Sequence, residues 1–341
     1  MRTALVTDAW FPQINGVVRT LDQTARHLQE MGDEVLVVSS AGQPAIACPT
    51  YPEIPLVLHP YRHVRRMFQE FRPDTIHIAT EGPLGLAARF WCRRQGARFT
   101  TSLHTRFPEY VSARYPIPLS WGYAFLRWFH AGATRTMVSS LSLASELQQR
   151  GIRNLAVWGR GVDTELFRPI PDSERLAMLP GPRPAFVYFG RVAVEKNVED
   201  FLRLPLPGRK HVIGDGPQGA GLRRRYPDAN WLGMMEGIRL SRHLASADVM
   251  VFPSRTDTLG LVVLEANACG VPVAAYPVTG PLATIENGRN GVMDRDLGHA
   301  SLEALQISRP ACRAAALACG WEKCTEVFRS HLTPAFPSAG T

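Results

Sequence analysis

The chain reads as an α/β protein of two doubly wound, Rossmann-like domains in tandem, and three observations predict it. Short β-rich apolar runs alternate with helical segments from the first residues onward, the pattern of a parallel sheet covered on both faces. Pro169, Pro171, Pro180, Pro182 and Pro184 break this alternation mid-chain, and a second strand-helix series follows. At 341 residues the chain is also longer than one compact core organises.

In the first half, strands are expected at residues 4–7, 34–39, 55–59, 75–79, 98–103, 135–139 and 154–158. After the first loop, Val17, Leu21, Ala25 and Leu28 form one apolar helical face, and Gly32 is placed to end that helix. These elements make a first domain of residues 1–168, followed by a linker at 169–184. The second series has strands at 185–189, 211–213, 230–232, 249–252 and 271–275, within a domain of residues 185–320. Residues 321–341 are a last helix and tail, with Trp321, Val327 and Phe328 on the helix's apolar face.

A hydrophobic share of 45% with 20% charged residues suits a soluble protein with two sizeable cores. No apolar run approaches the roughly 20 residues of a bilayer span, and the first residues run straight into a strand, so neither a membrane span nor a signal peptide is expected. Six cysteines are scattered without Cys-x-x-Cys pairs, which points to free thiols in a cytoplasmic protein and away from zinc. The net charge of +8 is concentrated: between Arg62 and Arg135 stand 12 arginines against four acids. That region either meets an anionic partner or carries a solvated arginine-rich exterior. Within it, Phe107, Tyr110, Tyr115, Trp121, Tyr123, Phe125, Trp128 and Phe129 interleave with arginines, and Val64, Met67, Phe68 and Phe71 share a helical face opposite Arg65, Arg66 and Arg72. Both stretches are expected at an anionic membrane surface, as a peripheral attachment at its inner face, with core packing as the alternative.

Three segments carry chemistry. Gly190-Arg191 follows a strand, and Lys196-Asn197 stands at a helix start, so two cations lie where a diphosphate could bind. Lys196 is one of three lysines in an arginine-rich chain. Gly214-Asp215-Gly216-Pro217 follows another strand, where a glycine backbone can approach a ligand or simply make a tight turn. In Asp257-Thr258-Leu259-Gly260-Leu261-Val262-Val263-Leu264-Glu265, two carboxylates stand eight residues apart across a helix expected to begin near Leu259. One acid can then hold sugar hydroxyls and the other a ribose; the alternative is a helix cap and a solvated acid. Glu236 lies where a carboxylate could accept two N–H bonds from guanine, or serve as a helix N-terminal acid. Asp294-Arg295-Asp296 matches an Asp-x-Asp metal string only weakly, and no metal or other cofactor is expected.

Together with residues 12–16, His104, and Gly161-Val162-Asp163 followed by Phe167 and Pro169, these segments occur in the order seen in a known family. The chain resembles the retaining glycosyltransferases of GT-B fold, group 1 and GT4-like, along nearly its whole length. Trp158-Gly159-Arg160-Gly161-Val162-Asp163-Thr164 is similar to a subgroup with sulfoquinovosyl-lipid synthases and GDP-mannose-dependent α-mannosyltransferases. The resemblance implies two domains facing across a cleft, a first domain receiving a lipid or glycan acceptor, and a final helix crossing back to it. It implies a nucleotide-sugar donor, GDP-mannose or a UDP-sugar. Arg191 and Lys196, with Gly16, would stabilise the leaving diphosphate. Glu265 would bind the ribose, Asp257 the sugar hydroxyls, and His104 a polar edge of the sugar unless it is a satisfied core histidine; Gly214, Gly260 and Leu261 would also line the donor site. Asp257 departs from the family's usual Glu and is shorter by one methylene. Retention would follow from front-face attack, the departing phosphate taking the acceptor's proton, without metal.

Other classes fit less. A nucleic-acid-binding protein would explain the arginines and aromatics but neither carboxylate, and no nucleic-acid partner is expected. A nicotinamide dehydrogenase would need Gly-x-Gly-x-x-Gly in the first loop, which holds only Gly16. A silent paralogue is conceivable on the Asp257 departure alone.

Overall fold

Apolar runs of three to five residues, too short for helices, form the inner strands of two parallel sheets. The computed structural model describes residues 1–13, 15–47, 55–112, 115–257 and 259–336. It divides into two compact units, one of Met1–Arg160 with the chain from Trp321 onward, the other of Gly161–Gly320.

The first unit runs β1 (Arg2–Val6), α1 (Gly16–Glu30), β2 (Glu34–Val38), β3 (Ala45–Ala47), β4 (Pro55–Val57), α2 (Pro60–Phe71), β5 (Thr75–Ile78) and α3 (Pro83–Gln95). It continues through β6 (Thr100–Ser102), α4 (Phe107–Ser112), α5 (Leu119–His130), β7 (Thr136–Val138), α6 (Leu141–Gln149) and β8 (Leu155–Val157). The sheet order is β2-β1-β5-β6-β7-β8, all parallel, with Ala4 opposite both Leu36 and Ile76. The order reverses at β1 and β5, so the loops leaving their carboxyl ends diverge and open a crevice. Residues 55–59 do not join this sheet: β4 pairs antiparallel with β3 in a separate ribbon.

Helix α1 starts where the Asn15 carboxamide accepts the Val17 and Val18 N–H groups, both at 3.0 Å, and it buries Val18, Leu21, Ala25 and Leu28. Gly32, at φ 85°, turns the chain out of it, as the spacing predicted. On α2 the apolar face is core rather than surface. Val64 and Phe68 are buried, and Phe68 meets Trp91 of α3 edge-on at 4.9 Å, which removes this helix as a membrane-facing stripe.

The second unit begins with α7 (Asp172–Met178), then β9 (Ala185–Phe189), a 3-10 turn (Val194–Lys196), α8 (Val198–Arg203), β10 (Arg209–Ile213), α9 (Gly219–Arg225), β11 (Asn230–Gly233) and α10 (Gly237–Ala245). It ends with β12 (Val249–Phe252), α11 (Leu261–Ala268), β13 (Val273–Ala275), α12 (Thr279–Leu282), β14 (Gly291–Met293), α13 (Leu297–Glu303) and α14 (Arg309–Leu317). Its parallel sheet has the order β11-β10-β9-β12-β13-β14, reversing between β9 and β12. Side chains alternate across it: Val187, Phe189 and Met250 enter one core, and Phe186, Tyr188 and Val251 the other.

The unit boundary falls at Arg160, eight residues before the end read from sequence, and the stretch 169–184 is folded into the second unit. It carries α7. Arg175 and Arg183 donate to the Asp248 carboxylate at 2.7 and 3.0 Å, and the Ala185 N–H reaches it at 2.7 Å, so this stretch is bound to the start of β12. Strand β14, not among the strands expected from the sequence, completes the sheet beside β13.

The last helix, α15 (Trp321–His331), belongs to the first unit. It buries Trp321, Cys324, Thr325 and Phe328, with Val327 only half-buried, and Arg329 forks onto Asp33 at 2.8 and 2.9 Å. Among the described residues no helix is long and apolar enough to cross a membrane. The described cysteines are free thiols; burial pushes those of Cys92, Cys269 and Cys312 up to about 12. Cys48 lies outside the described residues.

Candidate active site

In the second unit, the carboxyl ends of β9, β10 and β12 build one layer from backbone. The Gly190 N–H donates to Ile213 O, the Val192 N–H to Asp215 O and the Gln218 N–H to Val192 O, so the loops after β9 and β10 run side by side. A Cβ on Gly214 would stand 1.9 Å from the Gly190 carbonyl oxygen, and one on Gly216 2.5 Å from that of Val192. The glycines of this loop are therefore required by the neighbouring loop.

The switch point between β9 and β12 is stitched shut by polar side chains. Asn197, in the left-handed region at φ 53°, donates to Pro253 O at 3.3 Å, while Thr256 and Ser254 donate to Glu195 O at 3.2 and 3.4 Å. These bonds align the two loops so that Lys196 Nζ meets Asp257 Oδ1 at 2.5 Å. The two residues to which the resemblance gave separate ligands thus form one ion pair, most of it withdrawn from solvent. The other Asp257 oxygen is buried and, among the described residues, has no hydrogen-bond partner. Arg191, half-buried, follows in the same loop, its carbonyl accepting from the Tyr188 hydroxyl at 2.6 Å.

Helix α11 begins at Leu261, two residues later than expected, because Gly260 takes φ 79° against the Phe252 ring. The cap position is held by Gly260, which has no side chain to offer, and the Val263 N–H donates to Gly260 O at 2.9 Å. Glu265 lies just over one turn in and is 6% exposed, on a helix apolar around its whole circumference. Thr258 lies outside the described residues. Gly280 of α12 packs on the Asp257 and Leu259 carbonyls, a constraint that sequence reading missed although Gly280-Pro281 after a strand marks a turn. Glu236 takes the cap position of α10, exposed and without a capping bond. Asp294 and Asp296 of the Asp-x-Asp string are spent on backbone N–H groups around the start of α13. Among the described residues no group of three His, Cys, Asp or Glu comes together as a metal site.

The first unit holds the other two candidates. Gly16 is exposed at the first turn of α1. His104, just past β6, has both ring nitrogens engaged: Nε2 lies 2.8 Å from Ser102 Oγ and Nδ1 lies 3.0 Å from Arg160 Nη2. Its pKa is held well below the usual histidine value, by burial first and then by the Arg160 charge. The ring is thus held between a hydroxyl and a guanidinium. At the end of β1, Asp8 is buried and accepts from Thr80 at 2.8 Å and from the Leu84 N–H at 3.0 Å, capping α3; sequence reading passed it over.

Two family profiles divide the chain: Glycosyltransferase Family 4 matches residues 14–166, and Glycosyl transferases group 1 matches residues 183–306. The GDP-mannose-dependent alpha-mannosyltransferase of Mycobacterium tuberculosis is 30% identical over 317 residues, covering 86% of this chain and 83% of that one. The chain is a family 4, group 1 glycosyltransferase. This glycosyltransferase is also 32% identical to the sulfoquinovosyl transferase SQD2 of Arabidopsis thaliana over 78% of its length, and it spans 57% of that protein. Its fold is GT-B: sucrose-phosphate synthase from Thermosynechococcus elongatus superposes with a TM-score of 0.77 over 96% of this chain and 98% of that one, at 19% identity.

Proposed function

We propose that this enzyme moves a hexosyl group from a nucleotide sugar to a lipid or lipid-linked acceptor, with retention of configuration and without a metal. The observation that carries the reading is the stitched switch point of the second unit. There Arg191, the Lys196–Asp257 pair and the start of α11 behind Gly260 stand at the carboxyl ends of adjacent strands, where open parallel sheets bind ligands. The Leu261 N–H and the two cations take the charge that grows on the departing diphosphate. Its other contacts in this unit are Gly214 and Gly260. Asp257, held in place by Lys196, receives sugar hydroxyls on its second oxygen, and Glu265 receives the ribose.

In the transfer step, the bond from the anomeric carbon to the diphosphate oxygen breaks and the acceptor oxygen bonds on the same face. The acceptor's proton passes to the departing phosphate. No carboxylate is then needed as nucleophile, in keeping with the commitment of Asp257 to an ammonium. GDP-mannose is the first donor to test: a relative that covers most of the chain is named for it, and the exposed Glu236 has two lone-pair edges for the N–H groups of guanine.

The acceptor reading rests on α4 and α5. Helix α5 buries Tyr123, Leu126 and Phe129, yet leaves Trp121 70% and Trp128 51% exposed on the other side. Between the helices lies an apolar groove of about 260 Å³, lined by Phe107, Pro108, Ile117, Trp121, Gly122 and Phe125. An apolar face of this kind, with the exposed Arg127 on the same helix, suits the interface of an anionic bilayer at the cytoplasmic side.

The deciding experiment is a donor panel of GDP-mannose, UDP-glucose, UDP-glucuronate and UDP-sulfoquinovose, with and without anionic liposomes and chelator, read by mass spectrometry of the lipid fraction. A new glycolipid from one donor, undiminished in chelator and of α linkage, is the expected result. Nucleoside diphosphate release without a lipid product moves the acceptor to a soluble glycan, and complete loss in chelator overturns metal independence. Flotation that does not depend on anionic lipid removes the membrane surface.

A further inference from the structure

Arg160, in the Trp158-Gly159-Arg160 segment, is given no role in the reaction above. It is 9% exposed, yet among the described residues no carboxylate pairs with it. Its Nη1 donates to Trp158 O at 2.7 Å and Gly159 O at 2.8 Å, its guanidinium stacks on the Trp158 ring at 4.2 Å, and Nη2 reaches His104 Nδ1 at 3.0 Å. Burial lowers its pKa to about 10, so it stays charged at neutral pH.

A guanidinium has no lone pair to offer, so its bond to His104 has a fixed direction. Nδ1 of His104 must accept, which puts the ring proton on Nε2. Nε2–H donates to Ser102 Oγ at 2.8 Å, and the Ser102 hydroxyl donates in turn to His77 Nε2 at 3.0 Å. His77 then carries its proton on Nδ1 and donates to Thr100 Oγ1 at 2.9 Å, whose own proton goes to Ile76 O at 3.4 Å. Each donor meets an acceptor, and one cation at the head sets every direction down to a backbone carbonyl.

The charged or titratable groups facing this relay from its neighbours are few. Beside Arg160 and the two histidines stands Cys324 of α15, whose thiol donates to Gly159 O at 3.2 Å; Trp158 and Phe328 close the rest.

We propose that Arg160 is a positioning residue that locks His104 as a neutral Nε2–H imidazole, a hydrogen-bond donor and not a base. The role in transfer rests on the reading of His104 as a sugar contact: a sugar oxygen entering here would take the Nε2–H bond that Ser102 now accepts. Such a histidine donates at any pH in the working range.

The test begins with 15N-histidine NMR on the full chain without donor or acceptor. A one-bond N–H correlation at His104 Nε2 and at His77 Nδ1, unchanged from pH 8 to 5, is the expected pattern. His104 protonated on Nδ1, or titrating near the ordinary value of about 6.5, overturns the lock. In Arg160→Met, His104 should titrate, and kcat should fall at least tenfold with a new acid limb in its pH profile; Arg160→Lys should restore part of both. Wild-type kcat and a flat profile in Arg160→Met overturn the positioning role, even if the variant is less stable. Unchanged kcat/KM in His104→Ala takes His104, and Arg160 with it, out of the reaction, while the tautomer result stands on its own.

Discussion

The carboxyl ends of the two sheets are built on opposite principles. In the first unit, Asp8, His77, His104 and Ser102 satisfy one another or nearby polar groups, and one cation, Arg160, sets a direction. In the second unit, the corresponding layer is charged: a half-buried ammonium-carboxylate pair, an arginine beside it and a helix start at Gly260. A neutral, closed network costs little to bury and holds a shape. A charged, incompletely satisfied one costs more, and that cost is recovered when a ligand of opposite charge arrives. The first unit's layer is a frame, and under the proposed function the second's is a receptor.

Deletion within the frame should have the largest effect on stability. Phe328 is fully buried, 4.6 Å from Trp158 and 4.9 Å from His77 by ring centroids. Phe328→Ala should cost about 3–5 kcal/mol in denaturant unfolding of the first unit, and a smaller loss would show that the frame repacks. In the receptor, the effect should fall on rate. Lys196→Ala should lower kcat about 10²–10³-fold with little change in melting, since removing the ammonium removes transition-state charge.

Acid should separate the units. His77 is held down to about 3, by burial first and then by Arg160, and His104 is lowered as well. Both histidines bind protons more readily unfolded, so their contribution is complete above about pH 6.5 and is lost as the pH falls toward 3, by up to about 2.7 kcal/mol per pH unit for two protons. Asp8, whose pKa burial raises, opposes this in part. The second unit has one strongly lowered histidine, His211, at about 4. Calorimetry should therefore find the first unit's transition dropping faster between pH 6.5 and 4; parallel decline would erase the distinction. The smallest effect is expected at the exposed face of α5. Trp121→Ser should leave stability within about 0.5 kcal/mol while weakening binding to anionic liposomes, and unchanged flotation would return that face to ordinary surface.

Residue periodicity gave the strands of both sheets and the α1 face, because a residue's side of a strand or helix is a local matter. It failed at residues 55–59 and 291–293, where strands of three residues carry too little pattern to reveal their partner. It also took α2 for a surface helix, because an amphipathic face looks the same against a membrane as against α3. Of the site, Arg191, Lys196, Asp257 and Glu265 were legible from charge placed after apolar strands. Arg160 was not, although its segment was noticed: a lone arginine between glycines gives no sign that it will be buried against a histidine 56 residues away.

By itself, the sequence determined the α/β class, the two-part organisation and the ends of the strands where chemistry gathers, since these follow from short-range pattern and order along the chain. Only the tertiary structure decided that Lys196 and Asp257 are one pair, that the Gly214 backbone packs on Gly190, and that Arg160 lies against His104 Nδ1. Those outcomes depend on which loops lie side by side and which donors have no alternative acceptor, and both are settled by distances across the fold.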